Sequence, residues 1–365
     1  MKILFDYQAF SLQRYGGISR YFINLYQGLE SEGIDCSVNM LYSENYFLNE
    51  LLSQHNRNLL KGFFKNRVKR YSRWNKRYAL AILPFIDFDI FHPTYYDPYF
   101  LKKVRKPVVV TVHDMIHEKF PQLFTDAQQI IADKKKVIER ADAVICISNA
   151  TKKDLLDIYP VYAGKVHVVH HGYFDKTQTS QTLHDKLNLP ANYILFVGER
   201  WHYKNFINLI LGVKNILNKY PDLHLICVGG GSFSNSEISL LAKNAITNQC
   251  HQVTADENLL NILYQNAKAF VFPSLDEGFG LPVLEAFAAG CPVIMSNTNV
   301  FKEVGGDAAL YFDPNDNEDI EDKISQVLFS TNQQACMKEK GKERLKQFSA
   351  TRCIEQTIQI YKTLL

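Results

Sequence analysis

Two glutamates, Glu277 and Glu285, are separated by seven residues in the segment PSLDEGFGLPVLEAFAAGCP, residues 273–292. Glu277 falls in a loop with two glycines, whereas Glu285 falls in an apolar helical pattern whose first turn suits Pro282. Glycines let a backbone approach a ligand closely, and the free N–H groups at a helix start attract anions. The segment therefore predicts phosphate-binding amides beside two carboxylates that accept hydrogen bonds from hydroxyl groups. An ordinary strand–loop–helix turn with solvated glutamates is the alternative, and the glycine and proline framing favours the ligand site.

Two cations, Arg200 and Lys204, follow a predicted strand in the segment FVGERWHYKN. Gly198 ends that strand, and one turn of helix would place both cations on the same face. An arginine fork and a lysine point charge together suit a diphosphate, whose negative charge grows as it leaves. An ordinary surface pair is the alternative, and the position at a strand end favours phosphate binding.

Two further glycine clusters follow predicted strands. Gly16 and Gly17 lie between the first strand and an amphipathic helix, which suits either backbone amides directed at an anion or acceptor, or a plain helix start. Gly230 is the centre of a run of three glycines after the strand LHLICV. This run suits either a loop close to a nucleotide or a flexible strand exit, and it lacks the G-x-G-x-x-G spacing of a dinucleotide site.

His113 and Asp114 end the strand pattern VVVTVHD. A His-Asp pair at a strand end is able to orient a substrate hydroxyl or to act as an acid–base couple, and a buried structural histidine is the alternative. Ser148 precedes a predicted helix and is interpreted as its N-cap. No set of His, Cys, Asp and Glu has the spacing of metal ligands, so we expect no metal ion.

Short apolar strand patterns alternate with helical patterns along most of the chain. Val- and Ile-rich strands without alternation are typical of parallel sheets covered on both faces. Because 365 residues are many for a single core, we predict an α/β protein with two doubly wound Rossmann-like domains. The N-terminal domain covers residues 1–172, a polar linker covers 173–190, the C-terminal domain covers 191–350, and a last helix covers 351–365. We expect a ligand in the crevice between the domains, facing the carboxyl ends of the strands.

The composition is that of a soluble globular protein, with 46% hydrophobic and 22% charged residues. Nothing at the N-terminus resembles a signal peptide, and no apolar stretch reaches the roughly 20 residues that span a bilayer. Seven scattered cysteines, without a C-x-x-C, are typical of buried reduced thiols. We therefore expect a cytoplasmic protein.

The basic segment, residues 57–77, contains nine Lys and Arg residues and no Asp or Glu. Aromatic residues are interleaved with these cations, which suits an anionic membrane surface, where each cation contributes about 1 kcal/mol. A solvated helix face and a nucleic-acid patch are the alternatives. Because no nucleic-acid-binding motif accompanies the segment, we favour a membrane or a polyanionic acceptor and expect no nucleic-acid partner.

Together these motifs resemble the retaining glycosyltransferases of family four, which share a two-Rossmann-domain fold called GT-B. The likeness extends from GGIS through HD, VGER-x3-K and the glycine run to E-x7-E and the final helix. Within that family, the chain resembles bacterial surface-polysaccharide mannosyltransferases. The resemblance implies a nucleotide-sugar-binding C-terminal domain and an acceptor-binding N-terminal domain, onto which the C-terminal helix packs back.

The residue roles implied by the resemblance concern the sugar donor. Glu277 would contact hydroxyls of the donor sugar, and Glu285 would hold the nucleotide ribose. Arg200 and Lys204 would stabilise the leaving diphosphate, and His113 would touch the sugar hydroxymethyl and the reacting centre. The remaining donor-binding positions are glycines and loop amides, namely Gly16, Gly17, Gly198, Gly230, Phe279, Gly280 and Leu281.

The implied reaction moves a hexose from a nucleotide diphosphate sugar to a hydroxyl of a glycan or lipid-linked acceptor, with retention at the anomeric carbon. GDP-mannose is the favoured donor and a UDP-sugar is the alternative. The expected setting is surface-polysaccharide or lipopolysaccharide biosynthesis, peripheral on the cytoplasmic face of the inner membrane, with no metal and no cofactor. Two rival functions are a nucleotide-sugar epimerase or phosphorylase of similar double fold, and a non-catalytic nucleotide-sugar-binding module.

Overall fold

The computed structural model describes residues 1–53, 68–174 and 189–365. The chain divides into two compact units, the first formed by Met1–Phe174 with Ala350–Leu365 and the second by Asp175–Ser349. Two parts of the predicted organisation lie outside the described residues, namely 175–188 of the linker and 57–67 of the basic segment.

The first unit is built on short parallel strands. Among the described residues they form two sheets, with the strands β1 (Lys2–Asp6), β2 (Asp35–Asn39) and β3 (Ile90–His92) in one and β4 (Val109–Val112), β5 (Ala143–Cys146) and β6 (Val166–Val168) in the other. The strand orders are β2-β1-β3 and β4-β5-β6, and an isolated bridge between Phe91 and Val108 joins the two sheets. Ile3 and Phe5 pack into one core cluster and Leu4 into another, because successive strand side chains point to opposite faces.

Helices cover both faces of these sheets. They are α1 (Gln8–Leu12), α2 (Gly17–Ser31), α3 (Tyr46–Ser53), α4 (Val68–Ile82), α5 (Ile116–Lys119), α6 (Ala127–Arg140) and α7 (Asn149–Ile158). Ser148 caps α7, since its Oγ accepts a hydrogen bond from the Thr151 amide at 2.9 Å. The N-cap predicted at this serine is therefore confirmed.

The second unit is a doubly wound α/β domain. Its described strands are β7 (Tyr193–Val197), β8 (His224–Val228), β9 (Cys250–Val253), β10 (Ala269–Phe272), β11 (Val293–Ser296) and β12 (Ala309–Phe312). Its described helices are α8 (Phe206–Lys219), α9 (Asn235–Lys243), α10 (Glu257–Asn266), α11 (Leu281–Ala288), α12 (Asn299–Gly305), α13 (Asn317–Leu328) and α14 (Thr331–Leu345). The strands pair in parallel in the order β12-β11-β10-β7-β8-β9.

The direction in which strands are added to this sheet reverses between β7 and β10. Strands β8 and β9 lie on one side of β7, whereas β10, β11 and β12 lie on the other. In open parallel sheets, a ligand binds at such a switch point, outside the carboxyl ends of the strands. The loop after β7 carries Arg200 and Lys204, and the loop after β10 carries Glu277. The fold therefore brings these two loops to the place where a ligand is expected.

The last helix, α15 (Ala350–Lys362), belongs to the first unit, although the chain reaches it from the second. Gly28 of α2 leaves room for Ile354, because a Cβ atom at position 28 would overlap the Ile354 side chain. The buried Tyr361 hydroxyl lies 2.6 Å from His92 Nδ1, and His92 Nε2 lies 3.0 Å from Thr111 Oγ1. These contacts attach α15 to β3 and β4, so the return of the C-terminal helix to the N-terminal domain is confirmed.

Acid is expected to destabilise the first unit through His92. Burial lowers the pKa of His92 from 6.5 to about 3, so the folded protein keeps the ring neutral while the unfolded chain takes up a proton. The free energy of unfolding should fall by about 1.4 kcal/mol per pH unit for this histidine as the pH drops from about 6.5 to about 3, with no contribution above that window. Urea unfolding at several pH values measures the slope.

The control for this prediction is His92→Gln, which keeps a polar side chain but cannot titrate. Because other buried histidines also contribute to the slope of the wild type, the slope of the variant is compared with that of the wild type. Between about pH 3 and 6.5 the slope of the variant should be smaller by about 1.4 kcal/mol per pH unit, the contribution of one bound proton. Equal slopes would contradict the assignment of this acid sensitivity to His92.

Candidate active site

The loop between β10 and α11 has the backbone that its glycines and proline predict. Gly280 precedes α11 with φ of 108°, a left-handed conformation that favours glycine. Pro282 lies in the first turn, where its missing N–H leaves no helical bond unmade. This local chemistry starts α11 at Leu281 and sets Glu285 within the helix, while Glu277 stays in the preceding loop.

Lys204 and Glu277 form an ion pair at the switch point. The two residues are 73 positions apart in the sequence, yet Lys204 Nζ lies 2.5 Å from Glu277 Oε1. Their side chains are only 17% and 13% exposed, so the pair is largely withdrawn from bulk water. A backbone hydrogen bond of 2.7 Å from the Leu275 amide to the Tyr203 carbonyl joins the two loops. The structure thus brings together the predicted phosphate-binding lysine and the predicted sugar-binding glutamate.

Arg200 points to a different part of the second unit. Its guanidinium donates to Glu237 Oε1 at 2.8 Å and to the carbonyl oxygens of Gly229, Gly231 and Ser232 at 2.5, 2.7 and 3.0 Å. The side chain is 3% exposed. The helical turn expected to align Arg200 with Lys204 does not form, because only His202–Lys204 is helical and Arg200 precedes it. The same-face prediction is therefore wrong, and the two cations have separate partners.

The run of three glycines after β8 is held in a backbone conformation that other residues rarely adopt. Gly229, Gly230 and Gly231 have φ of 95°, 68° and 67°. A Cβ atom on Gly230 would also lie 2.8 Å from Arg200 Nη1. Glycine is thus required here for both the backbone angles and the close approach of the guanidinium. Gly198, at the end of β7, likewise has a positive φ of 142°.

Glu285 has a partner that the sequence pattern did not indicate. The hydroxyl of Tyr264, a buried residue of α10, lies 3.3 Å from Glu285 Oε2 and donates to it. This contact orients the carboxylate from the neighbouring helix. Phe279 is buried beside Phe348, with ring centroids 5.5 Å apart, and Leu281 opens α11.

Sequence reasoning missed Glu237 as well as Tyr264. For Glu237 a signal existed, because Ser234 and Glu237 form an S-x-x-E capping box at the start of α9. That pattern predicts a helix start, but it does not predict that the same carboxylate pairs with Arg200. For Tyr264 we find no local signal, since it occupies an ordinary buried position of a helix.

In the first unit, His113 is buried directly after β4. Its backbone amide donates to the Tyr96 hydroxyl at 3.1 Å, whereas its ring atom Nε2 has no hydrogen-bond partner among the described residues. Burial, reinforced by the nearby His92 and Lys134, lowers the pKa of His113 to about 3. The imidazole is therefore neutral at physiological pH.

The glycine pair of the first unit starts α2. Gly16 is the extended N-cap residue, and its carbonyl accepts bonds from the Arg20 amide at 3.1 Å and from Ser19 Oγ at 3.0 Å. Gly17 is the first helical residue, and a Cβ atom there would meet open space. The helix start predicted after the glycine pair is confirmed, and its free amide end is suited to an anion.

Among the residues that the structure describes, no group of three or more His, Cys, Asp and Glu is arranged to hold a metal ion. The independence of the reaction from metal and cofactor stays a prediction.

Two glycosyltransferase families match the chain, one in each half. Residues 15–174 match the family "Glycosyltransferase Family 4", and residues 177–344 match "Glycosyl transferases group 1". The chain belongs to the family-four glycosyltransferases. The two matches meet close to the boundary between the two compact units of this glycosyltransferase.

Two named relatives of this glycosyltransferase are O-antigen chain mannosyltransferases. It is 32% identical over 223 residues to the O-antigen chain mannosyltransferase RfbU of Salmonella typhimurium, a match that covers 60% of each protein. It is 27% identical to O-antigen chain mannosyltransferase B of Escherichia coli, over 79% of this chain and 78% of that protein. The chain thus spans only about three fifths of the length of the Salmonella relative.

Solved structures confirm the GT-B fold predicted from the motifs. Sucrose-phosphate synthase from Thermosynechococcus elongatus superimposes with a TM-score of 0.80 at 19% identity, over 100% of this chain and 99% of that chain. Anabaena Alr3699/HepE, solved in complex with UDP and glucose, superimposes with a TM-score of 0.76 at 16% identity, over 100% of both chains. At these identities the likeness establishes the fold alone.

Proposed function

We propose that this glycosyltransferase moves a hexose from a nucleotide diphosphate sugar to a hydroxyl of a glycan acceptor, with retention at the anomeric carbon. The observation that carries the proposal is the Lys204–Glu277 pair at the switch point of the second unit. A cation suited to a diphosphate and a carboxylate suited to sugar hydroxyls are adjacent there. A nucleotide sugar has both of these groups next to the bond that breaks.

In the proposed reaction, the bond between the anomeric carbon and the diphosphate oxygen breaks, and a bond to the acceptor oxygen forms on the same face. The acceptor proton passes to the leaving phosphate, so neither glutamate is required as a base. Lys204 offsets the charge that grows on the diphosphate, which is the main demand on the site. Glu277 accepts hydrogen bonds from sugar hydroxyls, and Glu285 accepts them from the ribose.

GDP-mannose is the proposed donor, and a UDP-sugar is the alternative. Mannose is supported by the two O-antigen mannosyltransferase relatives, and uridine nucleotides by the Anabaena protein that was solved with UDP. The proposed acceptor is a growing glycan, free or lipid-linked, of a surface polysaccharide. This assignment is supported by the two O-antigen chain mannosyltransferase relatives.

The donor is tested by thermal unfolding with GDP, UDP and ADP, followed by product analysis with the matching labelled sugars. We expect GDP to raise the melting temperature most, and hexose transfer from GDP-mannose to depend on an added glycan. Sugar conversion without any acceptor would favour an epimerase. Nucleotide binding without turnover of any donor and acceptor tried would favour a binding module. Stabilisation by UDP alone would show that the donor is a UDP-sugar rather than GDP-mannose.

We also propose peripheral binding to an anionic membrane at the cytoplasmic face. In the described part of the basic segment, Tyr71 and Asn75 of α4 are buried, whereas Arg73, Trp74 and Arg77 are exposed. The Arg77 guanidinium lies 5.9 Å from the Trp74 ring centroid, and Trp74 is 46% exposed. A cationic face with an indole suits the interface of an anionic bilayer. Within the described residues, no helix has the length and hydropathy needed to cross a membrane.

The membrane proposal predicts that Arg73→Gln combined with Arg77→Gln weakens binding to vesicles of phosphatidylglycerol and phosphatidylethanolamine. The expected loss is about five- to thirtyfold, because each cation near the surface contributes about 1 kcal/mol. Lys102→Gln with Lys103→Gln removes two exposed charges elsewhere in the same unit and is the matched control. Co-sedimentation measures the binding, and equal losses in the two double variants would count against a specific membrane face.

A further inference from the structure

Arg200 is enclosed by backbone carbonyls rather than directed at open space. Besides the bonds described above, its Nη2 lies 3.3 Å from the Gly230 carbonyl oxygen, so four successive residues, 229–232, accept from one guanidinium. Its carbon Cζ lies 4.8 Å from the Phe233 ring centroid and 5.9 Å from that of Phe206. The planar fork of arginine suits such a set of acceptors, and a lysine ammonium does not.

Glu237 supplies the remaining bond and the compensating charge. The carboxylate accepts from Arg200 Nε through Oε1, while Oε2 accepts from the Ser234 amide at 2.6 Å in the capping box of α9. Burial opposes the ionisation of Glu237, but the hydrogen bonds from Ser234 and Arg200 outweigh it and lower the pKa of the carboxyl. The Arg200 charge is therefore offset within the protein, and little of it is left for a ligand.

The hydrogen bonds to Arg200 occupy the carbonyl oxygens of the loop 229–232 but not its backbone amides. The amides of Gly230, Gly231 and Ser232 donate no hydrogen bond to any described residue. The loop has successive positive φ angles and follows β8, at the carboxyl edge of the sheet beside β7. In open parallel sheets, nucleotides bind at this edge, and glycines allow the backbone amides to approach a ligand closely. A side chain that holds the carbonyls thus sets the direction of these amides.

We propose that Arg200 is a positioning residue, which shapes the loop 229–232 for the donor nucleotide while Lys204 supplies the positive charge at the diphosphate. The inference rests on the proposed nucleotide-sugar function. It gives Arg200 a role different from the phosphate contact implied by the family resemblance. A direct contact would require Arg200 to exchange four carbonyls and a carboxylate for the diphosphate.

The two roles predict opposite effects of removing Glu237. If Arg200 positions the loop, Glu237→Ala loosens the guanidinium and weakens nucleotide binding. If Arg200 binds phosphate, the same change frees its charge and strengthens binding. Arg200→Lys separates geometry from charge, since it keeps the charge and loses the fork. Ser330→Ala is the matched control, because it removes the N-cap hydroxyl of α14 in the same unit and leaves the Arg200–Glu237 pair untouched.

The experiment is calorimetric titration of the full chain with GDP and with UDP, together with the kinetic constants for donor and acceptor. We expect Arg200→Lys and Glu237→Ala each to weaken binding of the better nucleotide at least tenfold. The donor KM should rise with kcat and acceptor KM little changed, which a general loss of stability would not produce. Ser330→Ala should bind within about threefold of the wild type, although it loses about 1 kcal/mol of stability.

Wild-type or tighter binding by Glu237→Ala, or wild-type binding by Arg200→Lys, would overturn the inference and leave the proposed function standing. Failure of the wild type to bind either nucleotide would overturn the proposed function and, with it, the inference.

Discussion

Lys204→Met is expected to reduce kcat/KM for hexose transfer by about 1,000-fold, comparable to the loss of one preorganised group that stabilises transition-state charge. The physical reason is that Lys204 is the cation placed beside Glu277 at the switch point, in a site with little access to water. A charge in such a place acts strongly on a leaving diphosphate. The measurement is steady-state turnover with the labelled donor, with circular dichroism to verify the fold.

The matched control for Lys204→Met is Lys340→Met. Lys340 also pairs with a carboxylate in the second unit, at 3.0 Å from Asp307 Oδ2, but both side chains are exposed. Removing that exposed pair should leave turnover within about twofold, because surface ion pairs contribute little. If Lys204→Met keeps turnover within tenfold of the wild type, the diphosphate assignment fails.

Glu277→Gln is expected to lower kcat/KM by about 100-fold, because hydrogen bonds to charged groups contribute about 1.5–3 kcal/mol. The amide keeps the shape of the side chain, but it accepts sugar hydroxyls less strongly and no longer offsets the Lys204 charge. Glu285→Gln should act mainly on the donor KM, since we assign Glu285 to the ribose rather than to the reacting sugar. Separate measurement of kcat and KM for the two variants distinguishes the roles.

Glu199→Gln is the control, since Glu199 is an exposed carboxylate in the same loop as Lys204. The double variant Lys204→Met with Glu277→Gln should lose less activity than the product of the two single losses, because paired residues act as a unit. Full additivity, or a Glu277→Gln variant as active as Glu199→Gln, would show that the carboxylate does not serve the donor.

Local sequence chemistry predicted the elements of the site well. Pro282 and the glycines before it indicated where α11 begins, and Ser148 indicated the start of α7. The apolar strands that precede Gly198 and Gly229 indicated parallel β-structure. These features depend on neighbours within a few residues, so a single sequence contains them.

The direction of the Arg200 side chain was beyond such reasoning. The spacing of Arg200 and Lys204 suited one helical turn, but Asn205 has a positive φ of 58° and the segment before it is a short 3-10 turn. Arg200 instead pairs with Glu237, 37 positions away, whose sequence context predicted only a helix cap. The spacing of residues within one segment cannot identify a hydrogen-bond partner that lies on another strand or helix.

The sequence by itself determined that this protein has two α/β domains, a carboxylate pair framed by glycines, and two cations after a strand. Only the tertiary structure decided which of these groups meet. The parallel sheet places β7 beside β10, so Lys204 reaches Glu277 across 73 positions, while β8 on the other side of β7 brings the glycine run to Arg200. Strand order is set by packing of the whole domain, and no short segment encodes it.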